Sequence, residues 1–261
     1  MKPAHGIIGY RAIHNRATGE LVTPLAPVYA EDWPYRSVAQ EQSLLRYMDL
    51  WKFEDLLKTR ELYFTRADKF YDPLEGSLSK EEVHGTSNSD VAFAAAVKID
   101  RGSYERASEY RATSKGCTFI NCWHINTNED QRMWDAYTTS SDSVVVITTA
   151  HRLAASMKQS VFGAGVRYVS EDTPRTEFDE RSLFFYKDVA YEFEREFRLL
   201  IDLMTLGGSV HRDDPVDFFR RVPIDLSTLI YAIQPHPRAT QETKDKIGAL
   251  VRQHLPEATE C

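Results

Sequence analysis

SLLRYMDLWKFEDLLKTRELYFT, residues Ser43 to Thr65, reads as a strand, a helix and a second strand in immediate succession. Leu44 to Met48 reads as the first strand. Asp49 stands where a helix N-cap is favoured. Leu50, Phe53, Leu56 and Leu57 recur at helical spacing and give one apolar face that runs to about Thr59. Glu61 to Thr65 is a short β-prone run. A compact body, residues 43–261, is expected to begin here as a single domain. The preceding residues 1–42 are rich in Pro, Gly and polar side chains, punctuated by Pro24, Pro27 and Pro34, and read as an irregular arm.

Working outward, Cys117 to His124 is a strand candidate rich in Thr, Phe, Ile and Trp. Asn126 or Thr127 can cap the next helix. Glu129 and Asp130 fall in its first turn, where the positive helix end favours acids. Met133, Trp134 and Tyr137 share one side of it. Ser143 to Thr149 is a β-branched run that reads as a buried strand. Val166 to Val169, Leu183 to Tyr186, Tyr191 to Leu203 and Thr228 to Gln234 read as further strands, residues 91–113 as a helix, and residues 239–254 as an amphipathic helix. Strands and helices mix without strict alternation. That predicts an α+β fold with a mixed, mostly antiparallel central sheet and flanking helices.

Composition narrows the function classes. Hydrophobic residues make up 42% and charged residues 27%, a globular balance. The longest apolar run, Val91 to Val97, is far short of the ~20 residues a membrane helix needs. Three cysteines, Cys117, Cys122 and Cys261, argue against a disulfide framework and, with no secretory layout at Met1–His14, for a cytoplasmic location. A net charge of -7 disfavours wrapping of duplex nucleic acid. No GxGxxG, GxxxxGK[ST], GxSxG, HExxH or CxxC pattern occurs, so neither a metal site nor a nucleotide loop of those kinds is expected.

The most informative chemistry lies in Tyr191 to Leu199. Read as one strand, it places Glu192, Glu194, Glu196 and Arg198 on one face and Tyr191, Phe193, Phe197 and Leu199 on the other. Successive carboxylates on that face would stand roughly 6.6 Å apart and need a cation such as Arg198 beside them. The alternative is a solvated face on an edge strand. In Leu62 to Pro73, Phe70, Asp72 and Pro73 read as structural, while Tyr63 and Arg66 suit either a structural or a ligand-binding role. Trp134 and Tyr137 read first as packing.

Leu45–Met48, Leu62–Thr65, Lys69–Gly76, Asn121–His124, Met133–Tyr137 and Tyr191–Leu199 resemble, in order and spacing, the bacterial and phage domain family of unknown function DUF2971. Tyr71 and the Thr138–Asp142 segment depart from its pattern. The layout of an Arg-bearing strand, a helix, an aromatic-bearing strand and a late Glu-x-Glu is similar to that of ADP-ribosyltransferases. The resemblance implies an enzyme acting on NAD, in bacterial conflict or phage defence. Glu196 would stabilise positive charge developing on the ribose, with Glu194 assisting. Arg46 would meet the diphosphate and Tyr63 the nicotinamide ring, with Arg66 and Trp134 completing the binding set. A protein or nucleic acid would be the acceptor. The rival expectations are a non-enzymatic module that binds protein or nucleic acid, and a nuclease holding a divalent ion on Glu192, Glu194, Glu196 and Asp72.

Overall fold

A computed structural model describes residues 7–14, 21–29, 38–70, 114–159, 161–170, 182–203 and 218–255. The expected α+β class holds. The main sheet carries eight strands in the order β12-β6-β3-β5-β10-β7-β1-β2. Their ranges are β1 Ile7–His14, β2 Leu21–Tyr29, β3 Ser43–Asp49, β5 Thr118–Ile125, β6 Ser143–Thr149, β7 Phe162–Gly165, β10 Glu196–Asp202 and β12 Ala232–Pro235. Two more strands, β4 (Glu61–Arg66) and β11 (Phe219–Pro223), branch from β5. Every pairing in this sheet among the described residues is antiparallel. A separate parallel pair, β8 (Arg167–Val169) with β9 (Tyr186–Asp188), lies outside it.

The branch at β5 positions everything functional. One edge of β5 is shared by two strands. β3 pairs with its C-terminal end at Leu44–Ile125 and Leu45–His124, and β4 pairs nearer its N-terminal end at Thr65–Ile120 and Arg66–Phe119. Between these contacts β3 turns away to pair along its whole length with β6. A wedge therefore opens beside Asn121, Cys122 and Trp123. Helix α1 (Leu50–Thr59) joins the two diverging strands. It buries the four apolar residues expected of it, and Arg60 ends it in the left-handed region.

Two faces of the sheet are packed. On one, Phe53, Leu57, Phe64, Trp123, Val146 and Phe197 form the centre of the main core. That core is completed by α3 (Ala150–Ser156), α4 (Leu226–Leu229) and the terminal helix α5 (Gln241–His254). On the other, Met133 and Trp134 of α2 (Gln131–Tyr137) pack on Leu45, Tyr47 and Val145. Phe184 and Phe185 cover Ile120 and Leu200 there. Among the described residues no helix is long and apolar enough to cross a membrane.

Several local expectations change. The irregular arm supplies β1 and β2, which extend the sheet beyond β7. Pro24 and Pro27 fall within β2, whose outer side has no strand partner among the described residues. Leu183 and its neighbours form a 3₁₀ turn, Ser182–Phe185, rather than a strand. The expected strand at Thr228 begins as α4. Helix α2 is capped by Asp130, whose carboxylate accepts from Arg132 N, and not by Asn126 or Thr127. Residues 91–113, Tyr71, Asp72 and Pro73 lie outside the described residues.

Candidate functional site

Tyr191 to Leu203 is not one strand. Val189–Glu194 winds as a 3₁₀ helix, Arg195 takes a left-handed conformation at φ 39°, and the strand starts at Glu196. That turn explains why two acids one residue apart sit closer than strand geometry allows. The carboxyls of Glu194 and Glu196 come within hydrogen-bonding reach of each other. Both are buried, so the solvated edge-strand reading fails, and β10 is central between β5 and β7. Glu192 is exposed on the 3₁₀ turn and takes no part.

Cations resolve the repulsion. Lys187 Nζ donates to Glu194 Oε2 at 2.5 Å and to Glu196 Oε1 at 2.8 Å. Arg198 Nε donates to Glu196 Oε2 at 2.5 Å, and its Nη1 donates to the Phe184 carbonyl at 2.7 Å. Burial alone would raise both acids. For Glu196 the burial penalty is outweighed by Arg198 and Lys187, and its carboxyl is held well below the usual range. For Glu194 burial dominates, reinforced by the neighbouring Glu196, and it is pushed up to about 7. Near neutrality the pair therefore presents an ionised Glu196 beside a Glu194 that is about half protonated.

The surrounding shell orients this pair. His124 Nδ1 donates to the Glu194 carbonyl at 2.6 Å, leaving Nε2 to accept from Asn126 Nδ2 at 3.2 Å. Glu196 N–H donates to the Tyr168 hydroxyl, and Val166 N–H to the Glu196 carbonyl. Tyr137 is 36% exposed, yet its hydroxyl reaches the buried Glu194 carboxyl; burial and the two acids push that phenol far upward. The small β8–β9 sheet thus delivers Tyr168 and Lys187 to the acids.

A cavity of about 880 Å³ fills the wedge and extends past these groups, within the range of small-molecule sites. Alternation along β3 puts Arg46 with Leu44 and Met48 on the main-core face, where its guanidinium lies 5.7 Å from the Trp123 ring centre. Glu196 stands opposite His124 in register, on the other face. Both Arg46 and Glu196 line the cavity, so it passes through the sheet at the wedge. Arg46 Nη1 is sealed from solvent and has no hydrogen-bond partner among the described residues. Burial lowers this guanidinium to about 10, opposed by Cys122. At neutral pH it remains charged.

Of the six residues singled out from sequence, four converge: Arg46, Tyr63, Glu194 and Glu196 all line the cavity. Tyr63 sits on its rim, 40% exposed, stacked on Phe219 with ring centres 4.9 Å apart. Arg66 and Trp134 go elsewhere. Arg66 is buried and forks onto Asp68, with Nε–Oδ1 at 2.7 Å and Nη2–Oδ2 at 2.9 Å. Trp134 is packed edge-on between Tyr47 and His236 and donates to Glu129 at 3.0 Å. Its role is the core packing that its helical stripe suggested. Lys187 and Tyr137 were missed as site residues. Lys187 has no periodic signal, because it is held by a separate two-stranded sheet although it lies only seven residues before Glu194. Comparison with known protein families, curated proteins and solved structures finds no match to this chain.

Proposed function

We propose that this chain is an NAD-dependent ADP-ribosyltransferase-like enzyme. The observation that carries the reading is that one cavity holds, on one side of the sheet, the half-buried Arg46 guanidinium with no counterion among the described residues and, on the other, a carboxyl pair whose protonation is split. A half-buried cation with no counterion among the described residues favours an anionic ligand. A guanidinium fork suits the diphosphate. The ionised Glu196 can stabilise positive charge on a ribose carbon as its bond to nicotinamide breaks. Glu194, near 7, is suited to take the proton that an acceptor nucleophile loses on bonding to that carbon. The cavity volume is ample for a dinucleotide, and Tyr63 offers a ring at the rim. Calorimetric titration with NAD, followed by mass spectrometry for ADP-ribosylated products, tests this. Binding and product in the wild type, with product lost in Glu196→Gln, are expected; no binding at millimolar NAD ends the proposal.

A second reading is favoured by the completeness of the ion set around the acids. In a non-enzymatic binding module Lys187, Glu194, Glu196 and Arg198 would be structural, and Arg46 alone would meet an anionic ligand. Glu196→Gln would then lower the melting temperature while leaving ligand affinity intact. The nuclease reading is weaker, because a divalent ion would have to displace Lys187 and Arg198 from the acids, while Glu192 is exposed and turned to no shared site.

A further inference from the structure

Five large apolar side chains are exposed among the described residues, and three of them, Trp51, Tyr63 and Tyr137, line the wedge cavity. All three are aromatic. Single exposed apolar residues need no explanation, but a cluster around one cavity marks a binding surface. Tyr137 is engaged with Glu194, and Tyr63 lies against Phe219. Trp51, on the first turn of α1, is the most exposed of the three at 66%. Lys52 Nζ stands 5.3 Å from the indole centre and 3.4 Å from Asp49 Oδ2, so a tethered cation braces the ring. One helical turn on, Asp55 forks onto Arg221, with Nη1–Oδ2 at 2.9 Å and Nη2–Oδ1 at 3.3 Å. Both residues line the cavity. The mouth therefore offers an open indole and, beside it, an ion pair with acceptor and donor atoms. A nucleobase matches that combination, because it has a flat face for stacking and an edge of donors and acceptors.

The side of the sheet decides which base. Helix α1 buries Leu50, Phe53, Leu56 and Leu57 in the main core, on the face that Arg46 also takes, whereas Glu196 stands on the other face. In the NAD reading the bond to nicotinamide breaks at Glu196 and the diphosphate meets Arg46. The end of the dinucleotide left for α1 is the adenosine. We propose that Trp51 is the stacking platform for the adenine ring, and that the dinucleotide threads the sheet with its adenosine at the α1 end. This orientation rests on the NAD reading. Stacking on Trp51 needs no bond to break, so adenine nucleotides without nicotinamide should use the same platform.

The test titrates the full chain with ADP and with inorganic pyrophosphate, which carries the diphosphate without a base. Trp51→Ala is expected to weaken ADP binding about tenfold while pyrophosphate binds as in the wild type. Trp51→Phe keeps a stacking ring and should recover most of the ADP affinity. In the wild type ADP should quench indole emission, and in Trp51→Phe that quenching should disappear. The side chain is exposed, so the melting temperature of both variants should match the wild type. ADP that binds Trp51→Ala and wild type alike, or that does not bind at millimolar concentration, overturns the proposal. If NAD is still cleaved in a Glu196-dependent way in the first of those cases, the NAD reading survives without this platform. Trp51-dependent ADP binding in a chain that yields no ADP-ribosylated product would sink the enzymatic reading and leave the adenine platform standing.

Discussion

Arg198, buried, and Arg46, half-buried with its Nη1 sealed, stand on neighbouring parts of one sheet, yet they are in opposite electrostatic states. Arg198 has Glu196 on its Nε and the Phe184 carbonyl on its Nη1, within a set that Lys187 and Glu194 complete. Arg46 rests on the face of an indole with its Nη1 unmatched. The first is a buried charge neutralised by the protein. The second is a half-buried charge that no described residue neutralises. Burying charge costs several kcal/mol per ion unless geometry and hydrogen bonds offset it. A matched set therefore belongs to stability, and an unmatched one in a cavity to binding. The two meet in one cavity because the sheet divides at β5.

The comparison breaks most visibly at Arg198. Arg198→Met leaves Glu196 buried with half its compensation and should lower stability by about 3–5 kcal/mol in urea unfolding. A smaller loss would mean the ion set is not the structural centre drawn here. Next comes pH. Glu194 in the folded chain holds its proton up to about 7, above its ordinary value of 4.5. Between those values the folded state binds a proton that the unfolded state has released, so this group's contribution to stability declines as pH rises through the window. Glu194→Gln should flatten that decline, by on the order of 2 kcal/mol, in melts compared at pH 5 and 7.5. Glu196 works in the reverse sense: its lowered value contributes stability above 4.5 that is lost as pH falls below it.

At Arg46 the expectation inverts. Arg46→Met removes a charge with an unmet donor, so stability should hold or rise by about 1 kcal/mol. Affinity for ADP or NAD should fall at least about tenfold, or ~1.4 kcal/mol. A large loss of stability with affinity intact would erase the contrast between the two arginines. The smallest effect belongs to the turn that brings the acids together. Arg195 occupies φ 39° without being glycine, which costs on the order of 1 kcal/mol. Arg195→Gly should change stability by no more than about 1 kcal/mol, whereas Arg195→Val should be clearly destabilising by the same measurement.

How much of this was legible depended on whether the signal was local. Helix α1 was readable to the residue because Leu50, Phe53, Leu56 and Leu57 all face one core. β6 was readable because its β-branched run has no other plausible home. β7 was not, since Phe162–Gly165 is half glycine; Gly163 is there because a Cβ would stand 3.0 Å from Phe197 Cζ. Asp49 was placed correctly at the start of α1, but its carboxylate accepts from Thr139 N–H and Oγ–H rather than capping the helix. The strand expected through Tyr191 failed because alternation alone cannot register a left-handed residue such as Arg195.

The amino-acid sequence by itself determined the α+β class, the strand–helix–strand of Ser43 to Thr65 and the acids at 194 and 196, because periodicity and residue type are properties of neighbours along the chain. Only the tertiary structure decided that β3 and β4 part on one edge of β5, that Lys187 arrives from a separate pair of strands, and that Arg46 has no counterion among the described residues. Those depend on which distant segments share a boundary, and on whether charge buried there finds its opposite.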